Sequence, residues 1–340
     1  MMAGLARYRT FLLLVGATVT VAVAQRFLGN YALSVIEITG IYVILAVSLT
    51  LTNGFTGLFS LGHPAFMALG GYATALLTMA PVKKQLLLPD LPSWLLEMPA
   101  WPFLPSLLLA GAVGVLVAVL VGLPVLRLKG HYLAVATIGL IYIIASLATS
   151  FDQYTRGSLG LYGLPELTGI WWVYAWVVIT IYTAWRLKSS SLGRAMFAIR
   201  GDELAASCVG VRTTRLRLLA FCLGAFFAAV AGSLWTHIVT VITPASFDVM
   251  LAFELVVMIV IGGWGSITGA VVAAVGLTAL NYLLRPLEEG LGLYGFSQVV
   301  VAVLVLFVLI YRPGGLLGSR EVGRSVLDRG GQGFRIRAGQ

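Results

Sequence analysis

The side chains with the greatest chemical potential lie within apolar stretches of the sequence. Glu254 is embedded in "FELVVMIV", and His63 stands beside Pro64 in "LGHPAFM". An ionisable residue inside a membrane segment is costly and is by default a functional-site hypothesis. Glu254 could line a transport pathway or clamp a neighbouring helix. His63 could donate a hydrogen bond to a carbonyl that the proline releases, or contact a passing substrate.

Catalytic and metal chemistry find no support in the residue pattern. None of the three histidines is paired with a carboxylate in the sequence, and Cys208 and Cys222 cannot form a metal site alone. The sequence contains no phosphate-binding GxxxxGK[ST] loop, no HExxH and no GxSxG. We therefore expect a protein that is not an enzyme, holds no cofactor and does not itself hydrolyse ATP.

The elements that must position these residues are membrane helices. The 340-residue chain is 59% hydrophobic and 10% charged, with a mean hydropathy of +0.98, whereas globular chains carry about 25% charged residues. About 20 apolar residues cross a bilayer. Ten segments meet this criterion: 10–25, 33–52, 55–80, 103–126, 131–150, 170–186, 216–238, 240–262, 265–284 and 295–311. The predicted class is an all-α polytopic membrane protein of about ten transmembrane helices, with broken or re-entrant segments.

The distribution of basic residues predicts the orientation of these helices. With a cytoplasmic N-terminus, 17 of the 22 Lys and Arg residues fall on the cytoplasmic side, as the positive-inside rule requires. Both termini are then cytoplasmic, and the net charge of +9 faces anionic lipid headgroups rather than nucleic acid. Arg7, Arg9 and "AVAQ" at 22–25 also resemble a cleavable signal peptide. Cleavage would leave nine helices.

Glycines are placed where helices pack closely or break. Gly224, Ala228 and Gly232 recur every four residues on one helix, a spacing that lets membrane helices approach. We expect His63–Pro64 to interrupt the helix predicted at 55–80. Broken helices at membrane depth are tolerated where protein or a water-filled cavity satisfies the backbone, and they mark transporter pathways. Tight packing alone is the alternative.

Two breaks and one intramembrane carboxylate supply the candidate pathway or gating residues. These are Gly62, His63 and Pro64 at the first break, Gly262 and Gly263 in "GGWGS" at the second, and the intramembrane Glu254. Bulky replacement of Gly62 or Gly263 is predicted to abolish uptake while assembly persists.

The longest predicted cytoplasmic connection, 187–215, contains a short helix. Asp202 suits its start and Gly210 its end. On a helix, Glu203, Ala206 and Gly210 share one face. Such a small knob could fit a cleft in a soluble partner, whereas the alternative is a solvated, positively charged loop.

Several stretches, taken in order, resemble the branched-chain amino acid permease family of ABC importers. "DELAASCVG" (from Asp202) resembles the EAA-xxx-G loop of such permeases, carried by Glu203, Ala205, Ala206 and Gly210. The other stretches are "NGFTGLFSLGHPAFMALGGY", "LPVLRLKGHYLAVATIGL", "GSLGLYGLP", "SLGRAMFAIRGDELAASCVGV" and "HIVTVITPASFDVMLAFELVVMIVIGGWGSITGAV". The resemblance extends from about residue 35 to about residue 312. It does not cover the proline-rich segment 83–103.

The resemblance implies a division of labour in a bacterial inner membrane. An extracytoplasmic substrate-binding protein delivers an amino acid, and this chain forms the path with a second homologous permease subunit. Two cytoplasmic ATPase subunits use the ATP, and Glu203, Ala205, Ala206 and Gly210 dock into an ATPase groove. Residues 1–312 then form the permease domain and 313–340 a basic, disordered cytoplasmic tail.

Two rival functions remain open at the level of the sequence. Urea and short-chain amide importers use similar permeases, so the cargo could differ while the machine stays the same. A self-sufficient secondary carrier or channel would instead need buried ion-coupling charges, for which Glu254 is the main candidate. Dependence of transport on ATP separates the importer from the carrier.

Overall fold

The described part of the chain is mainly helical, as the sequence predicts. A computed structural model describes residues 18, 22, 25–26, 29–128, 130–292, 295–312, 314–316 and 318. The long helices are α1 Asn30–Leu49 (continued by a π-helical turn, Thr50–Gly54), α2 His63–Thr78, α5 Phe103–Val125, α6 His131–Ser150, α8 Ile170–Ser189, α11 Thr213–Val239, α12 Val249–Gly262, α13 Ile267–Leu291 and α14 Phe296–Tyr311. The shorter helices are α3 Pro81–Leu87, α4 Ser93–Leu96, α7 Asp152–Thr155, α9 Ser191–Gly201 and α10 Glu203–Cys208.

Several of these helices can cross a membrane. Within the described residues, six are long and apolar enough to do so, and α2 with α3, bent by 116°, makes a seventh if the pair counts as one span. The prediction of an all-α, multi-pass membrane protein is confirmed. The predicted segment at 10–25 lies almost entirely outside the described residues.

The centre of the bundle is α11, which packs against α1, α2 and α5. Small residues on α11 allow this close packing, as their spacing in the sequence predicted. A Cβ at Gly232 would overlap the Met67 carbonyl of α2, and one at Gly70 would overlap the Ala229 carbonyl of α11. The Ser233 hydroxyl donates to the Gly70 carbonyl at 3.0 Å. The two backbones therefore meet at a distance that only glycine permits.

Replacement of Gly232 by alanine is expected to destabilise the bundle by about 1–3 kcal/mol, because the obstructing atoms belong to backbone and cannot rotate away. Thermal unfolding in detergent measures the effect. The matched control is Gly139→Ala on α6, where an added Cβ meets open space. Equal melting temperatures for the two variants would contradict the close approach.

The break in the first part of the bundle lies earlier than the sequence indicated. His63–Pro64 do not interrupt a helix; they begin α2, and residues 57–62 before them are non-helical. The predicted interruption of the 55–80 segment is therefore present, but it lies at residues 57–62 instead of at His63–Pro64. Proline favours the first turn of a helix because the backbone N–H that it lacks would have no partner there.

The non-helical residues are stabilised by side chains from within the chain. The Asn53 amide donates to the Ser60 carbonyl at 2.9 Å and accepts from the Ser60 N–H at 3.1 Å. The Thr137 hydroxyl of α6 accepts from the Leu61 N–H at 3.0 Å. The freed backbone groups of Ser60 and Leu61 are thus satisfied by protein, as a broken segment at membrane depth requires.

The opposite end of the bundle carries the segment that matched no family motif. Lys84 of α3 is fully buried, and its ammonium donates to the Leu95 and Met98 carbonyls at 3.3 Å each. A two-stranded antiparallel ribbon, β1 Leu161–Tyr162 with β2 Val241–Ile242, lies at the same end, where Lys83 bonds to the Gly163 carbonyl. Through these backbone carbonyls, Lys84 holds the segment together and Lys83 attaches it to the rest of the chain.

Candidate functional site

The predicted short helix in the 187–215 connection is present as α10. The Asp202 carboxylate caps it by accepting from the backbone N–H groups of Leu204, at 2.8 Å, and Ala205, at 3.1 Å. Gly210 follows the helix with φ +85°, a left-handed conformation suited to glycine. The start and end signals that the sequence carried are both confirmed.

The four predicted docking residues of α10 lie in different surroundings, since Ala205 and Gly210 are exposed while the other two contact the chain itself. Ala206 is buried, and the Glu203 carboxylate forms an ion pair with Arg217 of α11 at 2.6 Å. Ala206 therefore packs against its own chain, and Glu203 pairs with α11 while its side chain stays 34% exposed. The docking role predicted for these residues stays a prediction. Leu204 and Val209 are 74% and 79% exposed, and sequence reasoning singled out neither.

The preceding helix, α9, connects α10 to the ends of two other helical segments. The Arg200 guanidinium donates through Nη1 to the Gly54 carbonyl at 2.7 Å and to the Trp264 carbonyl at 3.1 Å. Gly54 ends the π-helical turn after α1, and Trp264 lies between α12 and α13. Partial burial lowers the pKa of Arg200 from its ordinary value, but an arginine side chain stays charged in proteins.

A second cation, Lys188, contacts the same connection between α12 and α13. The Lys188 ammonium at the end of α8 donates to the Gly265 carbonyl at 2.7 Å and lies 5.6–5.9 Å from the ring centroids of Phe197 and Phe55, within reach of a cation–π interaction. A Cβ on Gly54 would lie 2.8 Å from the Gly265 nitrogen. We call Gly54, Lys188, Arg200, Trp264 and Gly265 the basic junction.

The basic junction brings together the two regions that the sequence marked as breaks. The residues that meet there are neighbours of the predicted residues, not the predicted residues themselves. The predicted Gly62 lies instead against Thr137 and Leu140 of α6, and Gly262 packs on Gly269 of α13. The Phe59 ring stacks on Trp264 at 6.1 Å between centroids. The pathway roles of Gly62, Pro64 and Gly262 stay predictions.

Gly263 has a structural role at the same end. Its φ is +108°, and a Cβ there would lie 2.6 Å from the Gly318 carbonyl oxygen. The Leu316 N–H donates to the Ile261 carbonyl at 2.7 Å. The described beginning of the predicted tail therefore packs on the connection between α12 and α13, whereas residues 319–340 lie outside the described residues.

The two titratable candidates within the membrane lie in different surroundings. His63 is 2% exposed, next to Gly224 of α11; the Ser48 carbonyl is close, but neither ring nitrogen has a hydrogen bond of normal geometry among the described residues. The Glu254 carboxylate accepts from the Tyr42 hydroxyl at 3.3 Å, joining α12 to α1. This is the interhelical clamp that the sequence left open, whereas a pathway role for either residue stays a prediction.

Metal binding has no geometric basis in the part of the chain that the structure describes. No three His, Cys, Asp or Glu side chains there come together as a metal site would require. Cys208 on α10 is exposed, and Cys222 on α11 is half-buried; both are free thiols.

Comparison with known proteins identifies the group to which this architecture belongs. The family described as "Branched-chain amino acid transport system / permease component" matches residues 31–311. The chain belongs to this family. The match takes in the basic junction, α10 and every long helix from α2 to α14.

Relatives named LivM and relatives named LivH both match this chain. The high-affinity branched-chain amino acid transport system permease protein LivM of Salmonella typhimurium is 30% identical over 336 residues, covering 88% of this chain and 73% of LivM. LivM of Escherichia coli is 29% identical with the same coverage. LivH of Escherichia coli is 27% identical over 305 residues, covering 83% of this chain and 92% of LivH. No solved structure matches the chain.

Proposed function

We propose that this chain is a transmembrane permease subunit of an ATP-driven importer that moves branched-chain amino acids into the cell. The observation that carries the proposal is the family match over residues 31–311. The names of the LivM and LivH relatives support the cargo. Similarity to both of them supports a second, homologous permease subunit as partner.

The remaining partners follow from the proposed machine. Two cytoplasmic ATPase subunits supply the energy, an extracytoplasmic binding protein delivers the substrate, and this chain needs no cofactor of its own. The capped helix α10, with Leu204 and Val209 exposed, supports a docking surface for an ATPase subunit. Arg200 connects α9 to two helix ends, so motion of the ATPase reaches the membrane helices through hydrogen bonds.

The proposed topology has ten transmembrane helices with both termini cytoplasmic, in the bacterial inner membrane. Under this topology the basic junction and α10 face the cytoplasm, and the end that contains Lys84 and the β-ribbon faces outward. The concentration of Arg and Lys in 187–215 supports this orientation.

The exposed thiol of Cys208 provides a direct test of orientation. A membrane-impermeant maleimide is expected to label Cys208 in inside-out vesicles and not in intact spheroplasts, because the reagent reaches only the cytoplasmic face in the former. A Cys208→Ser variant gives the background from Cys222. Strong labelling of Cys208 in intact spheroplasts would reverse the orientation.

Transport itself is tested in proteoliposomes that contain both permease subunits, the ATPase subunits and the binding protein. Leucine uptake is expected to require ATP and the binding protein. Uptake without ATP would favour the carrier alternative. Urea that competes with leucine, or replaces it, would favour an amide importer.

A further inference from the structure

We propose that the cavity beside the basic junction binds the phosphate of an anionic phospholipid headgroup from the cytoplasmic leaflet. The cavity has a volume of about 450 Å³ and is lined by Lys188, Arg194, Arg200, Phe197 and Trp264 among others. The inference rests on the proposed orientation and on no particular cargo. Labelling of Cys208 tests that orientation separately.

The charge of the cavity points to an anion. Three cationic side chains line it, and no carboxylate is among the lining residues that the structure describes. The hydrogen bonds described for Arg200 and Arg194 go to neutral backbone carbonyls and use only Nη1 of each guanidinium. The remaining guanidinium hydrogens can bind a phosphate, whose geometry suits the planar arginine fork.

The position of the cavity favours a lipid phosphate over a free one. It lies where α8 ends and where α12 connects to α13, which is the depth of the headgroups in a bundle of this kind. Trp264 contributes an indole, a group enriched at the membrane–water interface. Basic pockets between membrane helices on the cytoplasmic side bind lipid headgroups.

An apolar surface leads from the cavity toward the membrane along α8. Trp185 lies three residues before Lys188, on the same helical face, and is 51% exposed. Tyr182, one further turn away, is 59% exposed. A headgroup at Lys188 and Arg194 would therefore place an acyl chain against these rings.

The test uses the assembled complex and native mass spectrometry with added lipid. Phosphatidylglycerol is expected to bind more tightly than phosphatidylcholine. Arg194→Met, which leaves the contacts of the basic junction in place, is expected to weaken phosphatidylglycerol binding about ten-fold, the cost of a lost charge-assisted hydrogen bond. The matched control is Arg215→Met, which removes an exposed charge on α11 that does not line the cavity.

Four outcomes would overturn the proposal. Equal binding of the two lipids, or equal losses in Arg194→Met and Arg215→Met, would remove the headgroup from the cavity. Stabilisation of the complex by inorganic phosphate alone, to the extent that phosphatidylglycerol gives, would indicate a free-anion site. Lipid that is retained only after the ATPase subunits dissociate would make the cavity part of a protein interface.

Discussion

Arg200→Ala is expected to lower leucine uptake per ATP hydrolysed by about five- to thirty-fold while the complex still assembles. The variant loses hydrogen bonds to the Gly54 and Trp264 carbonyls. Because Arg200 is partly solvent-exposed, each contributes only about 0.5–1 kcal/mol. Together they amount to about 1–2 kcal/mol of coupling between α9 and the helix ends, which corresponds to the stated factor.

The measurement is the ratio of transport to ATP hydrolysis in proteoliposomes. Arg200→Lys keeps the charge but not the planar guanidinium, and is expected to fall between wild type and alanine. Arg212→Ala serves as the control, since it removes an exposed arginine from the same connection. A wild-type ratio in Arg200→Ala would show that the basic junction does not carry the coupling.

Leu204→Glu combined with Val209→Glu is expected to release the ATPase subunits from the purified complex. Both side chains are exposed on the isolated chain, so the substitutions leave its own fold intact. At an apolar contact, each carboxylate loses hydration without gaining a partner. The association is expected to weaken by about 100-fold or more, because a few central apolar residues dominate such interfaces.

Co-purification of the ATPase subunits with the tagged chain measures this effect. Leu204→Met with Val209→Ile keeps the apolar character and is expected to retain them. Glu203→Gln is a third comparison, because it breaks only a partly exposed ion pair with Arg217, whose contribution is about 1 kcal/mol or less. Full retention in the double glutamate variant would place the ATPase contact elsewhere.

Much of the helical architecture could be predicted from local sequence. Apolar segments of sufficient length occur in regular succession, and the solvent they imply is lipid. A break near His63 was predicted, but its predicted position was wrong, because Pro64 begins a helix instead of ending one. The ambiguity is physical: proline is compatible with the first turn of a helix and disrupts its interior.

In the candidate site, too, short-range contacts could be predicted from the sequence and long-range contacts could not. The capping of α10 by Asp202 is a contact between residues two and three positions apart, so its signal is local and readable. The contact of Arg200 with Gly54 spans 146 residues, and no local pattern indicates it. The direction of Glu203 and Ala206 also depends on how α10 sits on α11.

The sequence by itself determined that this chain is a bundle of membrane helices and which segment forms the short helix α10. Only the tertiary structure decided that Arg200 and Lys188 join the ends of α1, α12 and α13, and that Leu204 and Val209 face outward. The physical reason is that lipid selects helices by length and apolarity, properties of a segment alone. The pairing of helices depends instead on close approach between small residues and on backbone carbonyls left free at helix ends.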